Sequence, residues 1–171
     1  MGMVYEKQGR YEEALDYYHR DLEITVRVVG HEHLDVARTY NGIANVYYGQ
    51  GHYERALEYY QKDLDITIKV VGHDHASVAT SYNNIGVVYR QKGDLENALL
   101  QHQRALEIRT RVFGSEQPLV ADSYQNIAAT YLVQGKRAQG IEMLTKAYDI
   151  NLKVLGPDHP STKKLKSFLG R

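Results

Sequence analysis

The chain has 171 residues, 43% of them apolar, and 21 basic side chains balance 21 acidic ones to leave no net charge. That balance supplies no electrostatic footprint for nucleic acid or an anionic membrane, and no apolar run approaches the ~20 residues that cross a bilayer. Cysteine is absent, so disulfides and thiol chemistry are excluded.

The chain repeats itself. Gly9, Gly51, Gly93 and Gly135 recur every 42 residues, as do Tyr5, Tyr47, Tyr89 and Tyr131, and Gly30, Gly72, Gly114 and Gly156. A fixed period of this size predicts a solenoid, in which each unit buries its apolar face against its neighbours.

In chain order, MGMVYEKQGR lacks the apolar core of a signal peptide, and residues 1–8 read as the tail of a helix. RYEEALDYYHRDLEI then opens a long helix that closes near Gly30. A shorter helix is expected from about Asp35 to Tyr48, followed by a GQGH turn in which Gly51 takes the left-handed conformation. A second helix is expected over Tyr53–Val71, stopping at Gly72. Its apolar residues form two stripes: Tyr53, Ala56, Leu57, Tyr60, Leu64 and Val71, and Tyr59, Ile66 and Val70. Two stripes suit a helix packed between its partner and the next unit. The same pair recurs through SYNNIGVVYRQKGDLENAL and again through KRAQGIEMLTKAYDI. Pro118 and Pro160 fall at helix starts, where a missing N–H costs nothing.

In STKKLKSFLGR, Leu165, Phe168 and Leu169 form one apolar face while Lys163, Lys164 and Lys166 point elsewhere, which predicts a C-terminal cap. The expected division is a truncated first unit over 1–36, then units 37–78, 79–120 and 121–160, then a capping helix over 161–171. The N-terminal edge is expected to expose apolar surface and to invite self-association.

Small residues recur at one place on each helix type: Gly2, Ala44, Gly86 and Ala128, and Ala14, Ala56, Ala98 and Gly140. They mark the close crossing of each helix pair. Asp21 and Asp63 interrupt a packed face, and a buried carboxylate must be hydrogen-bonded. The expected partners are Tyr40 and Tyr82 of the following helices.

The series Tyr82, Ile85, Gly86, Tyr89, Gly93, Leu95, Ala98 and Ala105 resembles the tetratricopeptide repeat. The longer period and the loops GHEHLDVA, GHDHASVA and GPDHPST are similar to the repeats of kinesin light chains. The resemblance covers essentially the whole chain and implies an all-α, right-handed superhelix of antiparallel helix pairs. It also implies that the first helix of each pair lines a concave face. Aligned to the family, the inward positions are Arg38, Asn41, Asn45 and Tyr48, then Thr80, Asn83, Val87 and Arg90, then Asp122 and Gln125 with Ala129 and Leu132.

These residues are the candidate peptide-binding set. Amides at Asn41, Asn83 and Gln125 can pair with an extended backbone, and Arg38 and Arg90 attract acidic side chains. Kinesin light chains use such a groove for short cargo motifs, so the resemblance implies an adaptor with a protein or peptide partner. The alternative is a structural module that stacks end to end or binds intramolecularly. A carboxylate clamp for chaperone tails is excluded, because two of the three units lack its cation.

His31, Glu32, His33 and His73, Asp74, His75 invite a metal reading, but their period follows the unit boundary and favours a structural histidine at a helix start. No nucleophile elbow, phosphate loop or HExxH motif occurs. The expectation is a cytoplasmic, non-enzymatic binding module without metal or cofactor.

Overall fold

The computed structural model describes residues 2–170, and among these it contains nine α-helices and no strand. The fold is all-α, as the period requires. Two compact units are present, Met1–His73 and Asp74–Arg171. The first holds α1 (Gly2–Lys7), α2 (Tyr11–Val29), α3 (Leu34–Gly49) and α4 (Tyr53–Val71). The second holds α5 (Ala76–Lys92), α6 (Leu95–Phe113), α7 (Pro118–Val133), α8 (Arg137–Leu155) and α9 (Pro160–Phe168). In the first unit α1 and α3 both lie on α2, and α3 pairs with α4. In the second, α5 pairs with α6 and α7 with α8, while α6 packs on α7 and α9 on α8.

The glycine series set the helix ends. Gly51 sits at φ +77°, its N–H bonds the Tyr48 carbonyl at 3.0 Å, and the His52 N–H bonds the Tyr47 carbonyl at 2.9 Å. Two of the orphan carbonyls of the last turn are thereby satisfied in a Schellman motif, and the left-handed residue that closes it favours glycine. The same pair of bonds recurs at Gly93 with Asp94, and at Gly135 with Lys136. The series of Tyr47, Tyr89 and Tyr131 thus coincides with the carbonyls that close these turns.

The recurrent histidines are helix caps. His33, His75 and His159 occupy N-cap positions, and each Nδ1 accepts a backbone N–H two residues on, at 3.1–3.2 Å. Gln117 holds the fourth such place without a side-chain cap, and Pro118 follows at the first helical position. This accounts for the period of His33, His75 and His159 by hydrogen bonding alone.

The small residues lie where helices cross. Ala14, Ala44, Ala56, Ala98 and Ala128 are all fully buried. A Cβ on Gly2 would lie 2.6 Å from the Tyr18 ring, and one on Gly42 would lie 2.5 Å from the same ring. Tyr18 of α2 is therefore held between α1 and α3 by two missing side chains. The equivalent seats, 42 residues apart, are taken by Tyr60, His102 and Leu144. His102 lies against Gly86, where a Cβ would come within 2.7 Å of the imidazole.

Asp21 departs from expectation. Its carboxylate accepts from the Thr39 hydroxyl at 2.8 Å, not from Tyr40. Tyr40 instead turns toward Tyr59, 5.9 Å away between centroids, and Tyr59 stacks on Tyr47 at 5.5 Å. Ring packing outcompetes the phenol–carboxylate bond because Thr39, one residue earlier, already reaches the acid.

A larger side chain at the crossing has no space to fill. Ala56→Leu is expected to destabilise by about 1–3 kcal/mol through overpacking; an unchanged denaturation midpoint would remove Ala56 from the crossing. At the cap, Asn accepts the same N–H as histidine while Ala cannot. His75→Asn should leave stability unchanged, whereas His75→Ala should cost about 0.5–2 kcal/mol by thermal or chemical denaturation.

Candidate functional site

Four of the candidate residues project from α3 in the first unit. Arg38 is exposed and pairs with Asp35 one turn back at 2.8 Å. Asn41, Asn45 and Tyr48 are half-buried. The two amides are already engaged: the Tyr60 hydroxyl donates to Asn45 Oδ1, Asn45 Nδ2 donates to Asn41 Oδ1 at 3.4 Å, and Asn41 Nδ2 donates to Asp63 Oδ2 at 3.2 Å. Thr67 donates to the other oxygen of Asp63 at 3.2 Å. The chain of bonds runs from the helix surface into the α3–α4 seam, where Asp63 is only 5% exposed.

Asn41 is thus a structural amide as well as a surface one. Sequence spacing placed it on the inward row but gave no sign that its partner was Asp63. Asn41 of α3 and Thr67 of its own helix are among the partners of Asp63. A buried carboxylate at this site requires donors, and Asn41 and Thr67 supply them.

The second unit carries the other six. Thr80 is exposed, and its hydroxyl bonds the Ala76 carbonyl at 3.1 Å. Asn83, Val87 and Arg90 follow along α5 and are half-buried. Asn83 Oδ1 accepts from Asn126 Nδ2 of α7 at 2.8 Å, so α5 and α7 lie side by side with a direct amide–amide link. The Asn83 Nδ2 makes no bond to another described residue. Asp122 is exposed, and Gln125, half-buried, donates to it at 3.3 Å.

Arg90 is the most unusual of the set. Its Nη1 is buried without a hydrogen-bond partner, and no carboxylate among the described residues pairs with it. Beneath it lies His102, 0% exposed, with neither ring nitrogen bonded. Burial, then the nearby Arg90 and Arg109 guanidinium groups, push its pKa down to about 4. Arg109 is itself satisfied, donating to the Leu119 carbonyl at 3.1 Å and to Ser123 at 2.8 Å.

Farther along α7 the surface turns apolar. Gln125, Ala129 and Leu132 border a cleft of about 360 Å³ whose other walls are Leu144, Leu165 and Phe168, with Lys164 at its rim. The cleft was not foreseen. Its sequence signal was the change from polar to apolar at Ala129 and Leu132, set opposite the apolar face of α9. Among the described residues no three His, Asp or Glu side chains gather as a metal site would require, and no helix is long and apolar enough to cross a membrane.

Tetratricopeptide repeat models match the sequence over residues 1–69, 57–111 and 77–139, and a second such model over 120–161. The chain belongs to the tetratricopeptide repeat family. No functionally curated protein matches it. Among solved structures it is similar to BtubC (BKLC) from P. vanneervenii, at 29% identity and a TM-score of 0.82, over 93% of this chain and 63% of that one. It thus spans under two thirds of BtubC. It is similar also to a putative kinesin light chain from Podosopora anserina with nearly identical repeats, at 22% identity and a TM-score of 0.82, over 99% of this chain and 81% of the other. The apo form of RapI matches 99% of this chain and 45% of its own at 22% identity and a TM-score of 0.80, which speaks to fold alone. Tetratricopeptide repeats are protein–protein interaction scaffolds and typically act by binding, not catalysis.

The Asn41–Asp63 bond carries a prediction. Asn41→Leu leaves a buried carboxylate oxygen short of a donor and should destabilise the chain by about 1–3 kcal/mol. Urea denaturation measures it, and a loss below a few tenths of a kcal/mol would show that Asp63 is satisfied without Asn41.

Proposed function

We propose that the chain is an adaptor-type binding module that takes an extended peptide segment on the exposed faces of its first helices, with α5 and α7 of the second unit, joined by the Asn83–Asn126 bond, as the principal row. The observation that carries this reading is the face of α5. Thr80, Asn83, Val87 and Arg90 fall on one side of that helix and are exposed or half-buried, and among the described residues no carboxylate pairs with Arg90 and no acceptor takes the Asn83 Nδ2. Arg90 supports a preference for acidic ligands, since an unpaired arginine is a ready donor to carboxylates. The resemblance of the 42-residue period and of the loops GHEHLDVA and GHDHASVA to kinesin light chain repeats supports an adaptor role.

Self-assembly is the second reading, favoured by exposed apolar side chains in the first unit. Met3, Val4, Ile24 and Val28 are 50–75% exposed. Contiguous exposed apolar patches mark interaction surfaces.

The experiment is selection of peptides from a displayed library, followed by affinity and melting temperature for two variants. Arg90→Glu should weaken an acidic peptide by at least about tenfold through like-charge juxtaposition. Asn83→Leu should weaken it too, with a stability cost of about 0.5–1.5 kcal/mol because Asn126 loses its acceptor. Unchanged affinity in both, together with concentration-dependent sedimentation of the parent, would favour assembly.

A further inference from the structure

We infer that His102 is an acid-operated switch in the second unit: its protonation parts α5 from α6 beneath Arg90. The inference is independent of which ligand the first-helix faces bind.

The geometry leaves a proton on this ring nowhere to go. The imidazole is 0% exposed, neither nitrogen has a hydrogen-bond partner, and Gly86 of α5 lies so close that a Cβ there would fall 2.7 Å from the ring. A neutral imidazole tolerates such a seat as a flat, weakly polar filler. An imidazolium has two N–H donors that both require acceptors. In the closed seat neither ring nitrogen has one.

The charged neighbours oppose the proton as well. From α5 the ring faces Arg90, whose own Nη1 is buried and unpartnered, and from α6 it faces Arg109. The nearest carboxylate of α7, Asp122, acts on Arg109. In the 42-residue register Asn126 holds the α7 position that in α3 is Gly42, which abuts the Tyr18 ring; it is uncharged. Protonation therefore adds a third cation near two guanidinium groups inside a buried seam. The relief available is separation of α5 from α6, which admits water to the ring and releases Arg90.

Comparison along the repeat isolates the effect. The same seat holds Tyr18 and Tyr60 in the first unit and Leu144 in the α7–α8 pair. Tyr60 places its hydroxyl on Asn45, and burial raises its pKa, so it stays neutral throughout the acid range. Val87 replaces Asn45 at the corresponding position of α5, which removes the one acceptor the register would have offered His102. Of the four seats, one titrates in acid.

The direction follows from proton binding. A histidine whose folded pKa lies below its unfolded value of 6.5 binds fewer protons when the seat is closed. The closed seat is therefore fully favoured above pH 6.5, weakens as pH falls, and reaches its full loss below about pH 4. A difference between 6.5 and about 4 corresponds to roughly a 300-fold fall in the closed-to-open ratio.

Hydrogen exchange of the full chain at pH 7 and pH 4.5, with rates corrected for intrinsic pH dependence, tests this. Two variants accompany it: His102→Leu and His102→Tyr, each placing at this seat a residue that the repeat uses elsewhere. In the parent, protection of α5 and α6 should fall at least tenfold on acidification while that of α3 and α4 holds. In whichever variant folds, the acid-dependent loss should shrink to the level of α3 and α4. Histidine ¹³Cε1 resonances supply a second measurement on the parent alone, and the signal missing in the variants should titrate well below pH 6. Equal acid loss in α3–α4 and α5–α6, equal loss in parent and variants, or a His102 signal titrating near pH 6.5 would each overturn the switch.

Discussion

Everything in these units depends on how closely paired helices approach at one place per pair. Each first helix supplies glycine or alanine there, and each second helix supplies alanine or, at Gly140, glycine. Removing side-chain volume from both axes lets them approach closely, and close approach lets one larger side chain from the second helix sit against a bare backbone. Tyr18 shows this most fully, with a glycine on either side of its ring. The choice of residue in that seat is then consequential. It can be an aromatic with a polar tip, an aliphatic, or a titratable ring, and the surrounding backbone does not change to suit it. Local chemistry is thereby varied at a fixed architectural position.

That principle explains why polar groups enter these seams without disrupting them. In the first unit the Tyr60 hydroxyl begins a chain of bonds through Asn45 and Asn41 to Asp63, and each buried polar atom in it has a partner. In the second unit the corresponding route is cut, because Val87 stands where Asn45 would be and His102 where Tyr60 would be. The orphaned nitrogens of His102 and the buried Nη1 of Arg90 are the consequence. An unsatisfied buried group typically costs about 1–3 kcal/mol, so such a cluster in an otherwise regular repeat calls for an explanation.

Much of the fold was legible because it rests on local rules applied repeatedly. Tyr53–Val71 is found at the expected bounds, and α3 extends one residue beyond the expectation at each end. Glycine at a left-handed position and histidine ahead of a helix act within a few residues, so spacing alone finds them. Partner choice was less legible. Whether Asp21 meets Tyr40 or Thr39 depends on a one-residue rotation around α3 and on whether the tyrosine prefers another ring. The candidate binding row was recoverable as positions on helices, and each of those residues is exposed or half-buried. That Asn41 and Asn83 would be shared between surface and seam was not recoverable, since it depends on side-chain reach across neighbouring helices. The apolar cleft beside Leu132 was missed for the same reason: its walls come from three helices.

The edges of the units show a different use of the period. Lys69 pairs with Glu32 in the first unit, while Arg111 pairs with Asp74 and Lys153 with Glu116 in the second, each across 37 residues. Every one of these side chains is more than half exposed, so each pair is worth at most about 1 kcal/mol and weakens with salt. Their value lies in position. Each joins the last turn of a second helix to the loop that begins the same helix pair, just after the glycine that ends the preceding second helix. Apolar packing along a seam tolerates small tilting rotations of one helix against its partner, because methyl groups slide past one another at little cost. An ion pair at the far end of a helix of 19 residues resists that rotation with the longest available lever. Weak interactions placed at the rim can therefore fix the orientation of surfaces whose stability comes from the interior.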